Sequence, residues 1–140
     1  MRHDQVYREL GQRYLGGSVT GKDGVPEEQV ILAESRLGFA LPCALRDYYL
    51  VLGAVPKLNR VHNRLLAPSE LQPEEGFLVF LEENQGVVSW GIPLSIIAEE
   101  DPVVWQRTNT PPFRWLSEEK TFVAFLESMF TWYAEGGVLP

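Results

Sequence analysis

Apolar residues recur at the spacing of an α-helix in four segments of the chain. Two of these segments begin with a proline and end before a glycine, which suits the first and last turns of a helix. The last and clearest segment has Ser117 as its N-cap residue, two glutamates in its first turn, and Gly136-Gly137 at its end. The pattern predicts helices over residues 3–15, 26–37, 42–52 and 117–135.

Shorter apolar runs lie between the third and the last predicted helix. The first two runs are separated only by a short link that contains Asn84 and Gly86, which predicts a β-hairpin. The next two runs flank the turn Thr110-Pro111-Pro112. The predicted strands are residues 77–82, 87–94, 102–108 and 113–116.

The order of these elements, helices then strands then a helix, predicts the fold class. We expect an α+β domain, in which a mostly antiparallel β-sheet of about four to six strands packs against N-terminal helices and a C-terminal helix. The prolines and charges of residues 54–76 predict an irregular connection with one short strand near residues 64–67. Since no repeat or linker divides the sequence, residues 1–140 are expected to form a single domain.

The charge of the chain restricts the partners that it can bind. Its formal net charge is −7 at pH 7, and its sequence pI is about 4.8. Nucleic acids and anionic membrane surfaces are therefore disfavoured, because their phosphate groups attract basic proteins. A basic protein partner is favoured by charge complementarity, although solubility alone accounts for the acidity equally well.

Cysteine usage and targeting signals point to one compartment. Cys43 is the only cysteine, so no internal disulfide is possible. The N-terminal sequence has no apolar signal core, and no run approaches the roughly 20 apolar residues of a membrane span. These features predict a cytoplasmic protein.

Residues 16–22, GGSVTGK, have the glycine and lysine spacing of a phosphate-binding loop. Asp23 follows at the position where such a loop has a Ser or Thr that binds Mg²⁺. The segment before the glycines is a predicted helix, whereas a phosphate-binding loop follows a strand. A flexible glycine loop is therefore the preferred interpretation.

Candidate catalytic and metal-binding residues are few. His3, His62 and Cys43 lack the close spacing of zinc ligands. Cys43 begins a predicted helix, where a thiolate could be stabilised, but a small residue near a helix cap is the commoner situation. Adjacent acidic residues do not by themselves set two carboxylates across a cleft. We therefore expect no enzyme activity, no catalytic residue, no metal and no cofactor.

Residues 31–49, ILAESRLGFALPCALRDYY, resemble the signature of the SUKH superfamily. This group includes fungal regulators of cell-wall glucan synthesis and many bacterial immunity proteins. The resemblance rests on Glu34, Leu37-Gly38, Leu41-Pro42, Leu45 and the aromatic pair Tyr48-Tyr49. Residues 80–92, FLEENQGVVSWGI, are similar to the strand–loop–strand segment of bacterial members. One departure is that Ala54-Val55-Pro56 follows the third helix, where members often carry Asn-Gly or Gly-Asn.

The resemblance implies a non-catalytic, protein-binding domain. Our leading hypothesis is an immunity protein that binds and neutralises a cognate protein toxin, such as a basic nuclease, in bacterial competition. A regulatory or scaffold module for the cell's own proteins is the alternative. A small-molecule binder, or an enzyme that uses the acidic clusters, is the third reading, and a deep pocket with converging carboxylates would favour it.

The contact face is expected where carboxylates surround an exposed aromatic anchor. Trp90 is the expected anchor, beside the hairpin link and the acidic turn after the second strand of the hairpin. Phe125 and Trp132 widen the apolar face of the last helix, which fits either core or a contact between copies, so we expect a monomer or a weak homodimer. The predicted protein-binding residues are Glu82, Glu83, Asn84, Gln85, Trp90, Glu99, Glu100 and Asp101.

Overall fold

The computed structural model describes residues 2–135, which form five α-helices and six β-strands. The helices are α1 (Asp4–Leu15), α2 (Glu27–Leu37), α3 (Cys43–Leu52), α4 (Pro56–Asn59) and α5 (Phe122–Ala134). The strands are β1 (Asn63–Leu65), β2 (Gln72–Glu74), β3 (Phe77–Glu83), β4 (Val88–Pro93), β5 (Val103–Thr108) and β6 (Trp115–Thr121). None of the helices among these residues is long and apolar enough to cross a membrane.

The strands form one antiparallel sheet in the order β1-β3-β4-β5-β6, and β2 also pairs with β3. The prediction of an α+β fold with a mostly antiparallel sheet, N-terminal helices and a C-terminal helix is confirmed. In this sheet Trp90 of β4 lies opposite Leu81 of β3 on one side and Gln106 of β5 on the other. The centre of β4 is thus enclosed by strands on both edges.

Glycines end two of the helices where the sequence predicts. Gly16 after α1 and Gly38 after α2 have φ values of 76° and 84°, in the left-handed region that favours glycine. Between α2 and α3, the Glu34 carboxylate accepts the backbone N–H of Leu41 at 2.8 Å and lies 3.7 Å from the Arg46 guanidinium. The glutamate of the resemblance motif therefore stabilises the turn into α3.

Helix α3 is the centre of the hydrophobic core. Tyr48 and Tyr49 are fully enclosed, and the hydroxyl of Tyr49 donates to the backbone carbonyl of Leu66. Tyr48 packs against Tyr7 of α1 and Phe130 of α5, so α3 connects the first helix with the last. Because each buried hydroxyl has an acceptor, these large aromatic side chains are buried without an unpaired polar group.

The predicted start of the last helix is wrong. Ser117 lies in β6, opposite Trp105 of β5, and the N-cap of α5 is Thr121. The Thr121 hydroxyl accepts the N–H of Ala124 at 3.4 Å. Ser117 is followed by residues that suit a helix, but strand pairing with β5 outweighs that local preference. The predicted end at Gly136-Gly137 lies outside the described residues.

Residues 54–76 contain more regular structure than the sequence predicts. Helix α4, strand β1 and strand β2 all lie in this segment. Buried Asn59 explains part of this regular structure. It is 5% exposed, and its side-chain amide donates to the carbonyls of Leu52 and Val55. Its Oδ1 also accepts the Tyr48 hydroxyl. These contacts join the segment to α3, and a single asparagine in a polar stretch gives no sequence signal for them.

The glycine-rich segment after α1 does not form a phosphate-binding loop. It follows a helix, and residues Gly21–Asp23 form a single 3₁₀ turn. The Asp23 carboxylate accepts the backbone N–H of Thr20 at 2.8 Å, as a capping box does. The segment is therefore a capped turn between α1 and α2.

Candidate binding cleft between the sheet and α5

A cleft of about 570 Å³ lies between the sheet and α5. This volume is within the range of about 300–1,000 Å³ that is typical of ligand sites. Aromatic and aliphatic side chains make up much of the wall, and a few polar side chains lie among them. The lining residues are Asn63, Glu83, Val87, Val88, Trp90, Gln106, Glu118, Lys120, Phe125, Ser128, Met129 and Trp132.

The periodicities of the strand and the helix place these side chains on facing surfaces. Val88 and Trp90 are two residues apart on β4 and therefore point to the same face of the sheet. Phe125, Ser128 and Trp132 are separated by three and four residues, which places them on one face of α5. Phe125 packs on Trp90 with ring centroids 5.8 Å apart and closes one side of the cleft.

Trp90 is part of the wall rather than an exposed anchor. Its side chain is 5% exposed, so the expectation of an exposed aromatic residue at this position is wrong. The indole N–H donates to the Glu118 carboxylate at 2.8 Å. Trp90 is covered because β4 lies between β3 and β5 and beneath α5. Whether Trp90 contacts a partner stays a prediction.

Two polar atoms in the wall have no hydrogen-bond partner within residues 2–135. They are Oδ1 of Asn63 and Nε1 of Trp132. Asn63 is 1% exposed, and its Nδ2 donates to the Tyr133 hydroxyl at 3.1 Å. The amide can also be placed with its oxygen and nitrogen exchanged. The oxygen would then accept from the Tyr133 hydroxyl, and the nitrogen would be the atom without that partner. A buried polar group without a partner costs about 1–3 kcal/mol. Both atoms are covered in this conformation, so a ligand in the cleft would reach them only if the side chains over them move.

The predicted hairpin link is divided between two faces of the sheet. Glu83 lines the cleft, and its carboxylate accepts the backbone N–H groups of Gln85 and Val87 at 2.9 and 3.0 Å. Glu82 lies opposite Ser89, on the face that Trp90 does not share, and pairs with Arg64 at 2.9 Å. Asn84 and Gln85 are exposed at the tip.

The predicted acidic turn lies at the other end of β4. Because β4 runs from the hairpin link toward this turn, the two acidic segments lie beyond opposite ends of a six-residue strand, which is about 20 Å long. Glu99 and Glu100 are exposed, and Glu100 pairs with Arg2 at 2.6 Å. The Asp101 carboxylate accepts the N–H of Val123 at 3.0 Å in the first turn of α5. The eight predicted residues therefore do not form one contact face.

The sequence interpretation missed Asn63, Gln106, Ser128 and Trp132 as parts of one site. Asn63 comes from the segment that was expected to be irregular, and Trp132 from the face assigned to core or a dimer contact. The widened apolar face of α5 was a usable signal, since Phe125 and Trp132 lie on it and both line the cleft. The position of Asn63 has no local signal.

Cys43 and Asp47 lie outside the cleft, one helical turn apart on α3. Burial and the neighbouring Asp47 carboxylate raise the pKa of the Cys43 thiol. The thiol therefore stays protonated at neutral pH, which is the opposite of an activated nucleophile. His3 lies beside the same carboxylate, so these three side chains form a group that could hold a metal ion.

Comparisons of the chain with protein-family models, with curated proteins and with solved structures gave no match. Membership of the SUKH superfamily therefore stays a hypothesis that rests on the motifs in residues 31–49 and 80–92.

Proposed function

We propose that this chain is a non-catalytic domain that binds and neutralises a cognate protein toxin through the cleft beside α5. The observation that carries the proposal is the composition of the cleft wall. It combines aromatic surface with two buried polar atoms that lack partners within the described residues, and an exposed apolar residue, Val87, stands at its rim. Buried aromatic surface beside a polar rim is the usual anatomy of a protein interface.

A protruding segment of the partner would enter the cleft. Once the side chains that cover these two atoms move aside, a donor on that segment would bond to Oδ1 of Asn63, and an acceptor would bond to Nε1 of Trp132. A polypeptide supplies both groups in every non-proline residue, and an apolar side chain beside them would pack on Phe125. The net charge of −7 favours a basic partner, because opposite charges raise the rate of encounter.

The resemblance to the SUKH superfamily supports neutralisation of a toxin over other protein-binding roles. A regulatory or scaffold module would use the same cleft for a protein of the cell itself. The two roles differ in the identity of the partner and not in the chemistry of the cleft.

The test is affinity capture from a lysate of the source organism, read by mass spectrometry, with two matched variants. Ser128 is exposed on α5 and lines the cleft, so Ser128→Trp should fill the cleft without disturbing the core. Ser35 is exposed on α2, away from the cleft, and Ser35→Trp is the control.

We expect wild type and Ser35→Trp to capture a protein with a basic toxin domain, and Ser128→Trp to lose it. Retention should weaken as salt rises, because screening reduces the attraction between opposite charges. A partner captured equally by all three proteins would contradict the role of the cleft. Cellular housekeeping proteins, captured only when the cleft is open, would favour the regulatory role instead.

A small-molecule binder is the second candidate, and the volume of the cleft favours it. Glu83 and Glu118 both line the cleft, although Glu118 is already bonded to the indole of Trp90. Native mass spectrometry of protein purified from the source organism tests this candidate. A bound compound that Ser128→Trp lacks and Ser35→Trp retains would support it, and a spectrum of unliganded protein alone would count against it.

A further inference from the structure

A cluster of three metal-capable side chains joins the start of α1 to α3. Cys43 and Asp47 are four residues apart on α3, so they share one face of the helix, and His3 immediately precedes α1. Nδ1 of His3 lies 3.3 Å from Oδ2 of Asp47, and Sγ of Cys43 lies 3.5 Å from the same oxygen. One ligand atom from each residue lies within 4.8 Å of the other two.

We propose that His3, Cys43 and Asp47 form a binding site for a zinc ion. Tetrahedral Zn²⁺ has bonds of about 2.3 Å to sulfur and about 2.0 Å to nitrogen and oxygen. Bonds of these lengths separate a nitrogen from an oxygen ligand by about 3.3 Å, and a sulfur from an oxygen ligand by about 3.5 Å. The two separations measured from Asp47 agree with both values.

The chemistry of the donors favours zinc over other common ions. Metal binding would displace the proton of the Cys43 thiol. The resulting thiolate, one imidazole and one carboxylate suit a borderline-soft ion, whereas Mg²⁺ and Ca²⁺ prefer oxygen ligands alone. Three protein ligands leave a fourth position for water, as in zinc sites that remain open to solvent. The side chain of His3 is 15% exposed, so an ion can reach the site from solvent.

Asp47 is held in place before any ion binds. The residue is 3% exposed, and its Oδ2 accepts the backbone N–H of His3 at 2.9 Å. This bond fixes both the carboxylate and the first residue of the ligand set, as supporting hydrogen bonds do in metal sites. A bound ion would add a second connection between the N-terminal segment and α3.

The test uses Co²⁺ as the first probe on untagged, reduced protein. Because Cys43 is the only thiol in the sequence, a thiolate-to-cobalt charge-transfer band in the near ultraviolet reports on this site alone. We expect the band to appear on titration and to vanish when Zn²⁺ displaces Co²⁺. Zinc affinity, measured by titration calorimetry, should fall by about tenfold or more in His3→Ala and in Cys43→Ser.

His62 supplies the matched control, since it is the only other histidine in the sequence. Its ring stacks on Tyr133 with centroids 4.7 Å apart, and His62→Ala should bind both metals like wild type. Circular dichroism checks that each variant is folded. Absence of the cobalt band in folded wild type would overturn the proposal, and so would zinc affinity that is the same in Cys43→Ser, His3→Ala and His62→Ala. Neither readout depends on the toxin-binding role.

Discussion

Trp90 lies in the middle of the sheet, with its indole against Phe125 and its ring N–H bonded to Glu118. A side chain with these contacts stabilises the fold whatever the cleft binds. Ser128 and Val87 differ, because they line the cleft and are exposed. Variants of these exposed residues can therefore test binding, whereas variants of Trp90 test stability.

Trp90→Ala is expected to lower the free energy of unfolding by about 3–5 kcal/mol, the usual cost of removing a buried aromatic ring. Glu118→Gln, which keeps an acceptor for the indole N–H, should cost less. Urea unfolding, followed by circular dichroism, measures both. A loss below about 1 kcal/mol for Trp90→Ala would show that the indole is not part of the core.

Tyr133 makes the free energy of unfolding vary with pH in the alkaline range. Burial raises its pKa to about 12, although the hydrogen bond from Asn63 lowers it in part. Burial also raises the pKa values of Tyr7, Tyr48 and Tyr49. In the unfolded chain, tyrosine loses its proton near a pKa of about 10. Above that pH the folded state holds more protons than the unfolded state, so stability decreases as pH rises.

The urea midpoint is therefore expected to fall between about pH 10, the pKa of tyrosine in the unfolded chain, and about pH 12, the pKa of Tyr133 in the folded protein. The stabilising contribution is fully present below about pH 10. Tyr133→Phe should reduce the slope without removing it, because the other buried tyrosines also titrate. A midpoint that stays constant across this range would contradict the burial of these hydroxyl groups.

At the scale of elements, the boundary between β6 and α5 shows strand pairing outweighing the local preference of the sequence for a helix. The hydroxyl of Thr121 and the carboxylate of Asp101 accept N–H groups in the first turn of α5. Ser117 and Glu118 look like a helix start in the sequence, but they lie in a strand. Pairing with β5 and the bond from Trp90 to Glu118 hold them there.

Thr121→Ala is expected to cost about 1 kcal/mol of stability, the typical value for loss of an N-cap hydroxyl. Ser117→Ala should cost less than about 0.5 kcal/mol, because Ser117 is an exposed strand residue. Parallel urea unfolding of the two variants gives the comparison. A larger loss for Ser117→Ala than for Thr121→Ala would restore Ser117 as the start of the helix.

Elements with a local signal could be predicted from the sequence, and the others could not. Helices α1, α2 and α3 end close to the predicted glycines, and β3 and β4 form the predicted hairpin. Strand β2 pairs through exposed residues that include a proline, a pattern that resembles a loop. Its order comes from its partner β3 and not from its own composition.

At the scale of the whole molecule, the sequence predicts the layers but not the site. The cleft is made of residues from β1, β3, β4, β5, β6 and α5, which become neighbours only when the sheet forms. Runs of acidic residues are visible in the sequence, yet the sheet places Glu82 and Glu100 at opposite ends of β4. Charge alone therefore could not locate a contact face.

The most direct test of the central claim is a calorimetric titration of the captured partner domain into wild type, Ser128→Trp and Ser35→Trp. Binding through the cleft predicts that Ser128→Trp binds about tenfold or more weakly, which is at least about 1.4 kcal/mol. Ser35→Trp should bind like wild type, and all three proteins should have the same thermal midpoint. Equal affinity of Ser128→Trp and wild type would show that the partner does not enter the cleft beside α5.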